Sequence, residues 1–136
     1  MYIYSNKELI NNIDAKTLWS KYKQVELWNE WDPSIIDSNL NGDFSVGTKG
    51  TFKNEGFPPL EFELTEVIEG KSFTNQSQIG PFTISFTHLI SEVDSKLSVE
   101  HGLSVAGPDE NQVNEIGSNI AKTIPVAMKN LLGIDQ

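Results

Sequence analysis

The only two histidines of this chain, His88 and His101, are its best candidates for chemistry, because both fall on the apolar phase of alternating segments. Phe82, Ile84, Phe86, His88 and Ile90 share one parity, and Thr83, Ser85 and Thr87 take the other. Leu97, Val99, His101, Leu103 and Val105 then alternate with Ser98, Glu100, Gly102 and Ser104. Side chains of a strand switch faces at every residue, so both imidazoles point where the apolar residues point. In such a place a neutral imidazole can remove a proton alpha to a carbonyl while a protonated neighbour steadies the enolate. Two coupled imidazoles in an apolar site resist double protonation, which makes one the acid and the other the base. The same pattern suits a ligand contact, and it equally suits a core pair whose nitrogens bond to each other or to water.

Register ties further residues to this pair. A two-residue turn at Gly80-Pro81 pairs Ile79 with Phe82, Ser77 with Ile84, Asn75 with Phe86, and Phe73 with His88. A loop over Val93–Lys96 pairs Glu92 with Leu97 and His88 with His101. The inner face then carries the row Phe73–His88–His101, with Asn75–Phe86–Leu103 and Ser77–Ile84–Val105 beside it. Continuing through Glu69-Gly70 sets Glu66 opposite Phe73, which makes it a third candidate catalytic group. Val67-Ile68 breaks the alternation there, and a bulge would turn Glu66 outward. Two histidines and one carboxylate without the usual zinc spacing are not a metal set, so neither metal nor cofactor is expected.

The aromatic residues Trp28, Trp31, Phe52 and Phe62 can stack on a flat ligand or simply fill core. With Leu64, Phe73, Asn75, Ser77, Phe86, His88, His101 and Leu103 from the strands, and Ile120, Ile124 and Met128 from the last helix, they form the expected ligand-contact set. Sparse polar groups in an apolar interior are the usual composition of a small-molecule pocket. Trp19 reads as core, and the exposed phase Glu61, Glu63 and Glu100 as a solvated sheet face.

Composition narrows the partner. The net charge of −9 repels nucleic acid and anionic membranes. All ten basic residues are lysine, so no guanidinium is present to clamp a phosphate or carboxylate. Gly42, Gly47 and Gly50 lack phosphate-loop spacing. There is no apolar run of spanning length, so no membrane insertion is expected, and the first residues show no secretion leader. Cysteine is absent, which suits a reducing cytoplasm. The 136 residues suggest one domain, 1–136. Nothing in them speaks to oligomeric state.

The elements that must position these side chains run in a simple order. Tyr2 to Tyr4 reads as a short strand. Asp14 caps a helix with Ala15, Leu18, Trp19 and Tyr22 on one stripe, and a second short helix spans Val25 to Glu30. About six strands follow, punctuated at Asn41-Gly42, Gly56-Phe57-Pro58-Pro59, Glu69-Gly70 and Gly80-Pro81, and including Gly47–Asn54, Leu60–Ile68 and Lys71–Ile79. Gly107-Pro108-Asp109 opens a final amphipathic helix, with proline in its first turn. Pro125 is expected to kink it. One amphipathic helix on one half-polar sheet is an α+β two-layer solution.

This order resembles the SRPBCC superfamily, also called START-like or Bet v 1-like, and within it the polyketide cyclase/dehydrase-like group. The resemblance is carried by Ile13-Asp14-Ala15 with Trp19, Trp28-Asn29-Glu30-Trp31-Asp32-Pro33, Gly42 to Gly50, Phe62 to Val67, Ile79-Gly80-Pro81-Phe82, and the Pro125-containing last helix. It implies the helix-grip fold: a curved seven-stranded antiparallel sheet around a long C-terminal helix, two short helices after the first strand, and a hydrophobic cavity between them. It implies no single reaction, since the superfamily includes carriers, cyclases, hydrolases, stress proteins and co-chaperones. Three functions follow as expectations. The first is binding of a small hydrophobic, aromatic or lipid-like ligand in the cavity. The second is a cyclase or dehydratase using His88 and His101, and the third a co-chaperone-like interaction module with a solid core.

Overall fold

The computed structural model describes residues 1–134. Strand β1 (Tyr2–Ile10) leads into helix α1 (Ala15–Lys23) and a 3-10 helical segment (Val25–Glu30). Strands β2 (Ile35–Leu40), β3 (Lys49–Asn54), β4 (Leu60–Ile68), β5 (Ser72–Ile79), β6 (Phe82–Val93) and β7 (Lys96–Ala106) follow, then helices α2 (Glu110–Ala121) and α3 (Thr123–Leu132). The seven strands form one antiparallel sheet in the order β1-β7-β6-β5-β4-β3-β2. Strands β2 to β7 are thus a meander of neighbours, and β1 closes on the far edge beside β7. This is the helix-grip arrangement, with a bent C-terminal helix against the inner face of the sheet.

Local chemistry sets the boundaries. The Asp14 carboxylate accepts from the Thr17 amide at 2.7 Å and starts α1. Leu18, Trp19 and Tyr22 on that helix are buried, and Lys21 and Lys23 sit in its last turn, where cations complement the helix dipole. Asp109 caps α2 by accepting from the amides of Asn111 and Gln112. Pro108 therefore lies before the cap rather than in the first helical turn. The β6–β7 turn places Asp94 and Ser95 at φ of 51° and 67°, the left-handed pair that a tight two-residue hairpin requires.

A second expectation is corrected. The first strand runs to Ile10, well past Tyr4, because its inner phase is Tyr2, Tyr4, Asn6, Glu8 and Ile10, while Ile3 and Leu9 face out. Polar residues inside and apolar ones outside mask the alternation. The expected kink of the final helix is present, and it falls at Lys122, about one turn before Pro125. Proline lacks the amide that would bond the Ala121 carbonyl, and its ring crowds that same carbonyl, so the disruption falls upstream of the proline.

The core is continuous. Leu18, Tyr22, Val25, Leu64, Phe73, Val99, Val105, Val113, Met128 and Leu131 have no measurable exposure, which places α1, the 3-10 segment, the sheet and both C-terminal helices around one interior.

Candidate functional site

The centre of that interior is a row of side chains running across the sheet. The register pairs Val67 with Phe73, Phe73 with His88, His88 with His101, and His101 with Asn6. Both histidines are buried, at 8% and 5% exposure. Their rings lie 4.7 Å apart, nearly perpendicular. His88 stacks flat on Phe73 at 3.8 Å between centroids, and its Nδ1 lies 3.2 Å from the Phe73 carbonyl oxygen. A carbonyl only accepts, so Nδ1 carries the proton and Nε2 of the neutral ring keeps its lone pair. Beside this row run Leu64–Asn75–Phe86–Leu103–Tyr4 and Ser77–Ile84–Val105–Tyr2.

Helix α1 contributes the group that the strand pattern does not contain. The Tyr22 hydroxyl lies 2.8 Å from His101 Nε2. The Tyr22 ring is surrounded by Phe73 at 5.0 Å, His88 at 5.4 Å, His101 at 5.8 Å, Trp19 at 6.1 Å and Trp31 at 6.2 Å. On the helix side, Asn6 Nδ2 donates to Met128 Sδ at 3.2 Å. The sequence offered Tyr22 only as one member of an apolar stripe. Its contact with His101 spans 79 positions and depends on how α1 docks. Asn6 was legible in principle, as the inner-phase residue of a longer first strand.

Burial sets the protonation states. Desolvation pushes the His88 pKa down to about 3, and the hydrogen bond to the Phe73 carbonyl opposes this only in part. His101 is held well below its ordinary value, mainly by burial and then by the neighbouring His88. Burial likewise pushes the Tyr22 phenol up. All three groups are neutral at pH 7, so the Tyr22–His101 bond joins two neutral partners. Asp32, next to Trp31 in the chain, is raised by burial against the lowering effect of hydrogen bonds from the Ser34 hydroxyl and amide.

The other expected contact residues fall into distinct places. Trp28 is buried, lies over Phe62 at 5.5 Å and Phe73 at 6.0 Å, and donates its indole N–H to the Tyr22 carbonyl. Phe52 is half-buried against Phe62. Leu64, Asn75, Ser77 and Leu103 are buried on the inner sheet face, and Phe86 is half-buried there. Ile124 and Met128 are buried and Ile120 half-buried on the helices. Glu66 is not in the row. A register shift between Leu64 and Glu66 lets Val67, not Glu66, pair with Phe73. Glu66 is exposed and accepts from the Ser72 hydroxyl at 3.2 Å. The bulge has turned the carboxylate outward, and it takes no part in the histidine cluster.

The cavity that the resemblance implies is not open at the imidazoles, because the Tyr22 ring packs against both of them. Two concavities open at the surface, and neither is lined by a histidine. One, of about 250 Å³, lies where β1 meets α1 and the β6–β7 turn, and is lined in part by Ile10, Asp14, Glu92 and Lys96. The other, of about 150 Å³, is lined by Lys21, Gln24, Leu27, Glu30, Trp31 and Asn130. Among the described residues, three buried side-chain polar atoms lack hydrogen-bond partners: Nε1 of Trp19, Nε1 of Trp31 and Oγ of Ser77. Among the described residues, no three of His, Cys, Asp and Glu converge as metal ligands, and no helix is long and apolar enough to cross a membrane.

No protein-family model and no curated protein matches this sequence. Solved structures do match its shape. Protein MLL2253 from Mesorhizobium loti superposes with a TM-score of 0.78 at 13% identity, covering 97% of this chain and 95% of that one. Ginseng major latex-like protein 151 from Panax ginseng gives 0.77 at 13% identity, with 97% and 95% covered. A START superfamily protein from Mycobacterium smegmatis gives 0.76 at 14% identity, with 96% and 94% covered. At such identities the likeness is one of fold, and it extends over nearly the whole of each chain. The chain therefore has the START-like, Bet v 1-like helix-grip fold.

Proposed function

We propose that this protein binds a small hydrophobic or amphipathic molecule between the sheet and the C-terminal helices, in the reducing cytoplasm that a cysteine-free chain suits. The observation that carries the reading is the Tyr22–His101–His88 cluster. A core selected for stability alone gains nothing from two buried imidazoles, because each costs desolvation that an apolar side chain avoids. Here they sit among aromatic rings, and the neighbouring indoles of Trp19 and Trp31 have N–H groups with no acceptor among the described residues. Polar groups held incompletely satisfied in an apolar interior are the composition of a recognition site. Binding on this reading requires Tyr22 to yield its place, so the ligand competes with a phenol ring already caged by Phe73, His88 and His101. The test is titration with aromatic and lipid-like compounds, followed by tryptophan fluorescence and by the ring proton resonances of the two histidines. Saturable binding that perturbs His88 and His101 supports the reading. A panel in which no compound binds removes it.

A second reading is supported by the fixed tautomer of His88. With Nδ1–H anchored on the Phe73 carbonyl, Nε2 is a candidate base for proton abstraction of the cyclase or dehydratase kind. A base with a pKa of about 3 is poorly matched to neutral pH, which is why binding ranks first. Under the catalytic reading, His88→Ala and His101→Ala each abolish turnover of an active substrate while the fold persists. Undiminished turnover in both variants removes it.

A further inference from the structure

Trp31 lies between a surface groove and the polar cluster. Trp31 forms part of the wall of the groove between α1, the 3-10 segment and α3. The same indole packs against Tyr22 at 6.2 Å and His101 at 6.1 Å on its inner side. Lys21 Nζ donates to the Leu131 carbonyl at 3.2 Å, one bond between α1 and α3 at the rim.

The unpartnered atoms at this place share one chemistry. Trp31 Nε1 is buried with no acceptor, and so is Nε1 of Trp19, whose ring also packs against Tyr22. Trp19 itself is only 4% exposed. An indole nitrogen can only donate, so what is missing at both positions is an acceptor atom. The interior holds no charge to balance an anion: the chain has no arginine, none of its lysines is buried, the cluster histidines are neutral, and Lys21 at the groove rim is engaged by the Leu131 carbonyl. A buried uncompensated charge is far costlier than a buried neutral dipole.

We infer that Trp31 is the door of the binding site, and that the molecule it admits is neutral and flat and carries an acceptor oxygen for the Trp31 indole N–H. This rests on the ligand-binding reading and deepens it by naming the ligand's chemistry and its route. Three probes of one shape test it by calorimetry on the intact chain: methyl naphthyl ketone, isopropenylnaphthalene and naphthoate. The ketone is expected to bind about tenfold tighter than the hydrocarbon, the value of roughly one hydrogen bond, and naphthoate weaker than either. Trp31→Phe, which keeps a ring and loses the N–H, brings the ketone down to the hydrocarbon's affinity and leaves the hydrocarbon where it was. Trp31→Ala speeds association of the hydrocarbon in stopped-flow mixing. Equal binding of ketone and hydrocarbon by the wild-type chain overturns the inference while leaving the binding reading intact. So does a Trp31→Phe loss that is equal for both. Should Trp31→Phe fail to fold, the wild-type ratio of ketone to hydrocarbon still decides. If none of the three probes binds, the inference falls together with the binding reading.

Discussion

The Tyr22 hydroxyl and His101 Nε2, 2.8 Å apart, join helix α1 to strand β7 through a single buried hydrogen bond. The two residues lie at opposite ends of the fold's history along the chain. One belongs to the first helix and the other to the last strand, 79 positions apart. The bond also sets which ring fills the space under the sheet, because the Tyr22 phenol stands against both imidazoles and Phe73.

Removing that hydroxyl tests its energetic weight. Tyr22→Phe keeps the ring and leaves a buried imidazole nitrogen unpaired, at a cost of about 1–3 kcal/mol. Tyr22→Ala also empties the cage and is expected to cost about 3–5 kcal/mol, as large aromatic truncations do. Urea unfolding followed by tryptophan fluorescence measures both. A Tyr22→Phe midpoint equal to wild type would mean that the bond contributes nothing.

Acid should weaken the fold through the histidines. In the unfolded chain His88 titrates near its ordinary value of 6.5, and in the folded chain near 3. Between those values the unfolded state takes up a proton that the folded state refuses, so stability is retained above about pH 6.5 and lost as pH falls below it. The loss is about 1.4 kcal/mol per pH unit for each histidine kept neutral, and His101 adds in the same direction. Asp32 acts oppositely: its raised pKa lets the folded state protonate first, which adds stability as pH falls. With two histidines against one carboxyl, the net expectation is a decline from about pH 7 to about pH 5, measured by urea unfolding at each pH. His88→Leu should make the decline shallower. An unchanged pH slope in that variant would show that His88 titrates alike in both states.

The strand register was legible because tight turns and one-sided burial leave little choice. Phe73, His88 and His101 fall opposite one another once Gly80-Pro81 and the Asp94-Ser95 turn are fixed, and a slip of one residue would turn all three outward. Three features escaped for separate physical reasons. Glu66 left the row because a bulge adds a residue without any obligatory composition. The length of β1 was hidden because its inner face carries Asn6 and Glu8, which serve the polar cluster and the sheet edge rather than a greasy core. The role of Tyr22 could not be read from periodicity at all. Helical spacing tells which face is buried, not which strand it meets.

Glu66 supplies a prediction of no effect. Its side chain is exposed, and its hydrogen bond from Ser72 survives replacement by an amide, whose oxygen still accepts. Glu66→Gln should change stability by less than about 0.5 kcal/mol. It should also leave the affinity for any ligand of the histidine cluster unchanged. A tenfold loss of that affinity, about 1.4 kcal/mol, would mean that the carboxylate reaches the cluster after all.

Gly117 sets two rules against each other, and the structure decides which wins. In an exposed helix interior, Gly→Ala stabilises by about 1 kcal/mol because alanine loses less backbone entropy on folding. Gly117, however, is buried on the inner face of α2, directly against the Tyr2 ring of β1. A methyl group there would overlap Tyr2 Cγ and Cδ1, with Cβ also too close. Those are the root of the ring and cannot swing aside as a flexible tip would. Overpacking of this kind costs about 1–3 kcal/mol, which exceeds the propensity gain. Gly117→Ala is therefore expected to destabilise the protein in thermal or urea unfolding. In a Tyr2→Ala background the same change should become neutral or stabilising, because the steric term is gone and the helix propensity remains. The difference between the two backgrounds isolates the contact that seats α2 on the edge strand. Destabilisation of equal size with and without the Tyr2 ring would locate the strain elsewhere in the helix.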